Sequence, residues 1–108
     1  FISPYNPGAL LSNGNNGNFI PENFSLEQNY PNPFNPSTTI KYSLPQSNVV
    51  KLKVYDVNGR IVSTLVNGFN PAGSYEVTFD ASKISSGIYY YSIESGEFTK
   101  TMKMVLIK

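Results

Sequence analysis

Thr38-Thr39-Ile40-Lys41-Tyr42-Ser43-Leu44-Pro45 and Val50-Lys51-Leu52-Lys53-Val54-Tyr55-Asp56-Val57-Asn58-Gly59 are the stretches that decide the fold. In the first, Thr38, Ile40, Tyr42 and Leu44 alternate with Thr39, Lys41 and Ser43. Side chains on a strand point alternately to its two faces, so this period of two predicts a half-buried β-strand. Pro45 ends it, because proline has no N–H to give to a ladder. In the second stretch Val50, Leu52 and Val54 face inward between Lys51 and Lys53. Asn58-Gly59 then predicts a tight type I′ hairpin, whose two central residues both take positive φ, with Ile61 to Val66 returning as the partner strand.

The same period continues to the C-terminus. After a loop from Asn67 to Gly73, Tyr75, Val77 and Phe79 alternate with Glu76 and Thr78. Ser85-Ser86-Gly87 turns the chain, Tyr89, Tyr91 and Ile93 face inward, and Tyr90 is left exposed or at an interface. The last strand, Phe98 to Ile107, carries Met102, Met104 and Leu106 on one face and Lys103, Val105 and Ile107 on the other. With a short strand at Phe24 to Gln28 this makes about seven strands and no helix of ordinary length. The reading is all-β: an immunoglobulin-like antiparallel β-sandwich over residues 24–108, behind an extended N-terminal tail over residues 1–23.

Asn, Gly and Pro supply 12 of the first 23 positions, a composition unable to build a core. The tail reads as a linker from an upstream domain, or as a segment that lies on another surface through Phe1, Ile2, Tyr5, Leu10, Leu11, Phe19 and Ile20. The chain opens on Phe1 with no charged-then-apolar leader, as expected of a processed or excised C-terminal piece.

Composition narrows the function. The chain has no His, Cys or Trp, so the common proton shuttle, the thiolate nucleophile and the strongest nitrogen and sulfur metal ligands are missing. Its seven carboxylates form no close pair in sequence, so neither catalysis nor a cofactor is expected. A net charge of +1 with scattered Lys and Arg argues against nucleic acid, and no apolar run reaches the length of a transmembrane helix. Asp56-Val57-Asn58-Gly59 has the oxygen-rich opening of a calcium loop but lacks the later ligands, and a hairpin turn accounts for it. Eight Tyr residues supply potential stacking platforms for a glycan.

The least generic stretch is Tyr30-Pro31-Asn32-Pro33-Phe34-Asn35-Pro36-Ser37, where prolines fix φ and aromatic residues can pin an extended segment to the domain. Taken in order, YPNPFNPSTTIKYSLP, VYDVNGRIVSTL, AGSYEVTFD, SSGIYYYSI and the terminal KTMKMVLIK resemble successive blocks of the type A C-terminal sorting domain of type IX secretion. The resemblance implies a seven-stranded sandwich that directs a cargo across the outer membrane, passing through the periplasm to the cell surface or medium, with the secretion machinery as partner. The matching positions are Tyr30, Pro31, Asn32, Pro33 and Phe34; Tyr55, Asp56 and Gly59; Gly87 and Tyr89; and Lys103, Met104, Val105 and Leu106, the block presented for export. Two other readings stay open: a glycan-binding module, and an extracellular filament in which the tail anchors pair with a neighbouring copy, with Lys100, Lys103 and Lys108 limiting stray pairing of the last strand.

Overall fold

The computed structural model describes residues 20–108. In chain order the strands are β1 (Ser25–Leu26), β2 (Ser37–Leu44), β3 (Asn48–Tyr55), β4 (Ile61–Asn70), β5 (Gly73–Asp80), β6 (Gly87–Ser95) and β7 (Phe98–Leu106). They pair antiparallel in two sheets, of order β1-β2-β5 and β4-β3-β6-β7. This is the all-β sandwich that the alternation predicts, with β4 joined to β3 on the larger sheet.

The alternation is realised side chain by side chain. Ile40, Tyr42 and Leu44 from β2, Val50, Leu52 and Val54 from β3, Tyr91 and Ile93 from β6, and Met104 and Leu106 from β7 form one buried cluster. Their outward neighbours Lys41, Lys51, Tyr90, Glu94 and Lys103 are exposed. Aromatic stacking extends this cluster: Tyr75 stacks on Tyr42 with centroids 5.1 Å apart, and Phe24 and Phe98, packed against the core, stack on each other at 4.9 Å. Tyr89 adds a tyrosine corner, its hydroxyl donating to the Ser85 carbonyl at 2.7 Å, as immunoglobulin-like sandwiches do where the chain crosses between sheets.

Two local expectations are corrected. The β3–β4 turn is centred on Val57 and Asn58, not on Asn58 and Gly59, because the Gly59 N–H donates to the Asp56 carbonyl and the Asp56 N–H donates to Arg60. Gly59 alone is required to be glycine, at φ 81°, as in a type I turn followed by a bulge. The Asp56 side chain decides this geometry: its Oδ1 accepts from the N–H groups of Asn58 (2.9 Å) and Arg60 (3.0 Å). The second correction concerns β4, which runs through Asn67, Gly68 and Phe69 to Asn70, where the composition suggests a loop. Regular pairing of Asn48–Leu52 with Val66–Asn70 holds those residues extended, so tertiary pairing overrides weak local propensity.

The backbone N–H of Arg60 holds the Asp56 carboxyl below the usual range against opposing desolvation, helped by the N–H of Asn58 and the Arg60 guanidinium. A carboxylate whose folded pKa is depressed stabilises the fold above its unfolded pKa of about 3.9, and that contribution is lost as pH falls through the folded value. In thermal melts, native protein should therefore exceed Asp56→Ala in Tm at neutral pH, with the gap narrowing below about pH 4. A gap that is constant with pH would show that the carboxylate charge contributes nothing.

Candidate functional site

The residues singled out near Tyr30 and near Lys103 lie far apart in sequence, and the fold brings them together. β7 is an edge strand of the larger sheet, so alternate N–H and C=O groups along it have no partner in β6. The segment between β1 and β2 supplies partners along the C-terminal half of that edge. Gln28 Nε2 donates to the Lys103 carbonyl (2.8 Å), Asn32 Oδ1 accepts from the Val105 N–H (3.0 Å), the Phe34 N–H donates to the Val105 carbonyl (3.0 Å), and the Ile107 N–H donates to the Phe34 carbonyl (3.0 Å). Phe34 and Leu106 thus form a parallel bridge.

The prolines carry no N–H that this arrangement leaves unanswered, and the Tyr30–Pro31, Asn32–Pro33 and Asn35–Pro36 peptide bonds are cis. At one end Tyr30 exchanges both backbone hydrogen bonds with Thr39 of β2. At the other, the Phe34 ring is buried 6.2 Å from that of Phe79 on β5. The segment therefore crosses from the smaller sheet to the last strand of the larger one.

A buried polar hub holds it there. The Asn29 N–H donates to the Tyr91 hydroxyl (2.8 Å), which in turn donates to the Glu27 carbonyl (2.6 Å). Asn29 Nδ2 donates to Thr38 Oγ1 (2.9 Å) and the Pro31 carbonyl (3.1 Å), Thr38 donates to the same carbonyl (2.9 Å), and Gln28 Nε2 donates to Asn29 Oδ1 (2.6 Å). The backbone N–H and both side-chain polar atoms of buried Asn29 are answered, which removes the desolvation penalty of an unpaired amide. Burial pushes the Tyr91 hydroxyl up to about 12, the accepted Asn29 N–H partly opposing and the Glu27 charge adding. It stays a neutral donor at any physiological pH. Strand alternation sets Tyr91 inward, whereas no local signal marks Asn29 and Thr38 as members of a buried polar network.

The structure divides the terminal block by strand parity. Met104 and Leu106 are core residues, whereas Lys103 is exposed and Val105 half-buried on the outer face. Gly87 begins β6 at φ 154° and is exposed; Tyr89 is buried as the corner residue. In the proline segment, Pro31, Asn32 and Pro33 are exposed and Phe34 is buried, while the Tyr30 ring is 80% exposed. Tyr30 borders an open depression of about 330 Å³, lined also by Glu27, Gln28, Thr39, Lys41 and Glu76, where Lys41 Nζ lies 3.7 Å from Glu76. One exposed ring there is not the coplanar set that a glycan platform needs, and the stacked pairs noted above pack against the core. Of the candidate tail anchors, Ile20 is exposed; Phe1, Ile2, Tyr5, Leu10, Leu11 and Phe19 lie outside the described residues.

The class that this architecture defines is an immunoglobulin-like sandwich whose edge strand β7 is strapped by a proline segment. Residues 28–108 match the family described as the secretion system C-terminal sorting domain, and the chain belongs to that family. A solved structure of PorZ, an essential bacterial surface component of the type-IX secretion system of Porphyromonas gingivalis, is similar in fold, with a TM-score of 0.53 and 20% identity. The similarity covers 79% of this chain and 11% of the PorZ chain. No curated relative matches the sequence.

Hydrogen exchange should expose the strap directly. The Val105 and Ile107 amides, though on an edge strand, should be protected, while the Thr99 and Thr101 amides, whose N–H groups point the same way beyond the strap, should exchange faster. Asn32→Ala should raise exchange at Val105 selectively. Tyr91→Phe strands the buried Asn29 N–H and should lower stability by about 1–3 kcal/mol in urea denaturation. Equal protection along the whole edge would contradict the strap.

Proposed function

We propose that this domain is a non-catalytic export signal for type IX secretion, carrying whatever is fused to it across the outer membrane to the cell surface or medium. The observation that carries the reading is the union of the two most family-specific blocks, Tyr30–Phe34 and Lys103–Leu106, in one hydrogen-bonded unit. Membership of the sorting-domain family supports it independently. In this reading Phe34, Met104, Leu106 and Tyr89 act by holding the strand in its folded position, and Lys103 and Val105 are the part of the terminal block available to a partner. Gly87, Tyr30, Pro31, Asn32 and Pro33 are also exposed. Catalysis has no place in this reading. Asp56, the oxygen-rich candidate, spends its carboxylate on its own turn.

A fluorescent protein fused ahead of the full chain tests this in a bacterium with a functional type IX system. The fusion should reach the medium or cell surface, the reporter alone should stay in the periplasm, and a host lacking the system should retain both. Removing Lys103–Lys108 should also arrest the fusion. Because that deletion takes out Met104 and Leu106 from the core, each worth about 2–5 kcal/mol on truncation to alanine, its arrest reports fold and signal together. Export of the native fusion from the system-deficient host would overturn the proposal.

A further inference from the structure

The outer face of the four-stranded sheet is not uniformly polar. Strand register sets Ile61 of β4 beside Tyr55 of β3, Tyr55 beside Tyr90 of β6, and Tyr90 beside Lys103 of β7. In the next row Ile88 of β6 lies beside Val105 of β7. Residues two apart on a strand share a face, so Ile88 adjoins Tyr90 and Lys103 adjoins Val105. Ile61 is 55% exposed, Ile88 41% and Tyr90 37%. These side chains form one continuous apolar and aromatic patch at one end of the sheet, the end that carries the terminal block. The following rows are polar: Lys53, Ser92 and Thr101, then Lys51, Glu94 and Thr99.

Charge around the patch is one-sided. Lys103 borders it on β7 and Lys53 on β3, while the Glu94 carboxylate sits one row further away beside Lys51. At the β3–β4 turn Asp56 is matched by Arg60 at 3.3 Å and adds no net charge. An exposed apolar centre with a charged rim has the anatomy of a protein docking site, in which the centre sheds its water on contact.

Resting on the export reading, we infer that the patch of Tyr55, Ile61, Ile88, Tyr90 and Val105 is the surface on which the export machinery docks this domain. Its occupant is a protein surface with an apolar centre and carboxylates placed opposite Lys53 and Lys103. Two features select that occupant over others. The patch contains the outward half of the terminal block, so docking there is continuous with the signal, whereas Met104 and Leu106 are sealed in the core. The cationic rim disfavours a second copy of the same patch, which would bring Lys53 and Lys103 toward like charges.

The test uses the full chain fused to a fluorescent reporter in the type IX-competent host. Ile88→Ser with Tyr90→Ser, and separately Lys53→Glu with Lys103→Glu, are compared with Val49→Ser and Phe69→Ser, exposed apolar residues at the other end of the same strands. Melting and circular dichroism of the purified proteins confirm that each variant folds. Export should fall at least ten-fold for both patch variants, with folded reporter held in the periplasm, and should stay within two-fold for the control. Patch variants that fold and export like the native fusion would overturn the docking surface while leaving the sorting function standing. A concentration-dependent dimer abolished by the patch variants, with export intact, would assign the patch to a second copy and overturn it likewise. Failure of the native fusion to export would remove both readings together.

Discussion

Hydrogen bonding along the free edge of β7 is the constraint on which the rest of the molecule depends. An edge strand exposes a row of donors and acceptors that attract any extended chain. A strand at the end of a domain is also the easiest to fray. Gln28, Asn32 and Phe34 answer the groups of Lys103, Val105 and Ile107, so the strand has partners on both sides where it carries the terminal block. The prolines suit this duty, since each lacks the N–H that an extended segment would otherwise expose to solvent or to a neighbour.

Asn29 and Tyr91 transmit that constraint inward. The hub ties the chain before the strap, at Glu27 and Asn29, to the centre of β6, and ties its first turn, at Pro31, to Thr38 of β2. A sandwich of this size without a disulfide has a modest core, so a fully satisfied buried network contributes to a unique arrangement as well as to stability. Ser95 is an exception: its buried Oγ has no partner among the described residues.

Strand parity then turns one sequence block into two physical roles. Met104 and Leu106 stabilise the sandwich from within, and Lys103 and Val105 belong to a surface shared with Tyr90 and Ile88. Substitution of the inward residues perturbs folding first, and in the proposed docking role substitution of the outward ones perturbs recognition first. The same division separates Tyr89 and Tyr91, whose hydroxyls are committed to hydrogen bonds inside the fold, from Tyr90, whose side chain stands on the exposed face.

The face that each residue presents was legible in the sequence, because the period of two follows from the backbone of a strand and needs no partner. Thr38 to Leu44, Val50 to Val54 and Tyr89 to Ile93 all point as their alternation requires. The strand count, the lack of helix and the family resemblance follow from the same local information. The true centre of the β3–β4 turn was less legible, because the Asp56 side chain, and not the Asn-Gly dipeptide alone, sets the geometry. The extension of β4 through Asn67 and Gly68 depended on its ladder with β3. What only the tertiary structure decided was the meeting of Phe34 with Leu106, of Asn29 with Tyr91, and of Tyr55 with Tyr90 and Lys103. Those contacts join residues remote in the chain through backbone groups and strand register, and neither leaves a periodic trace in the order of side chains.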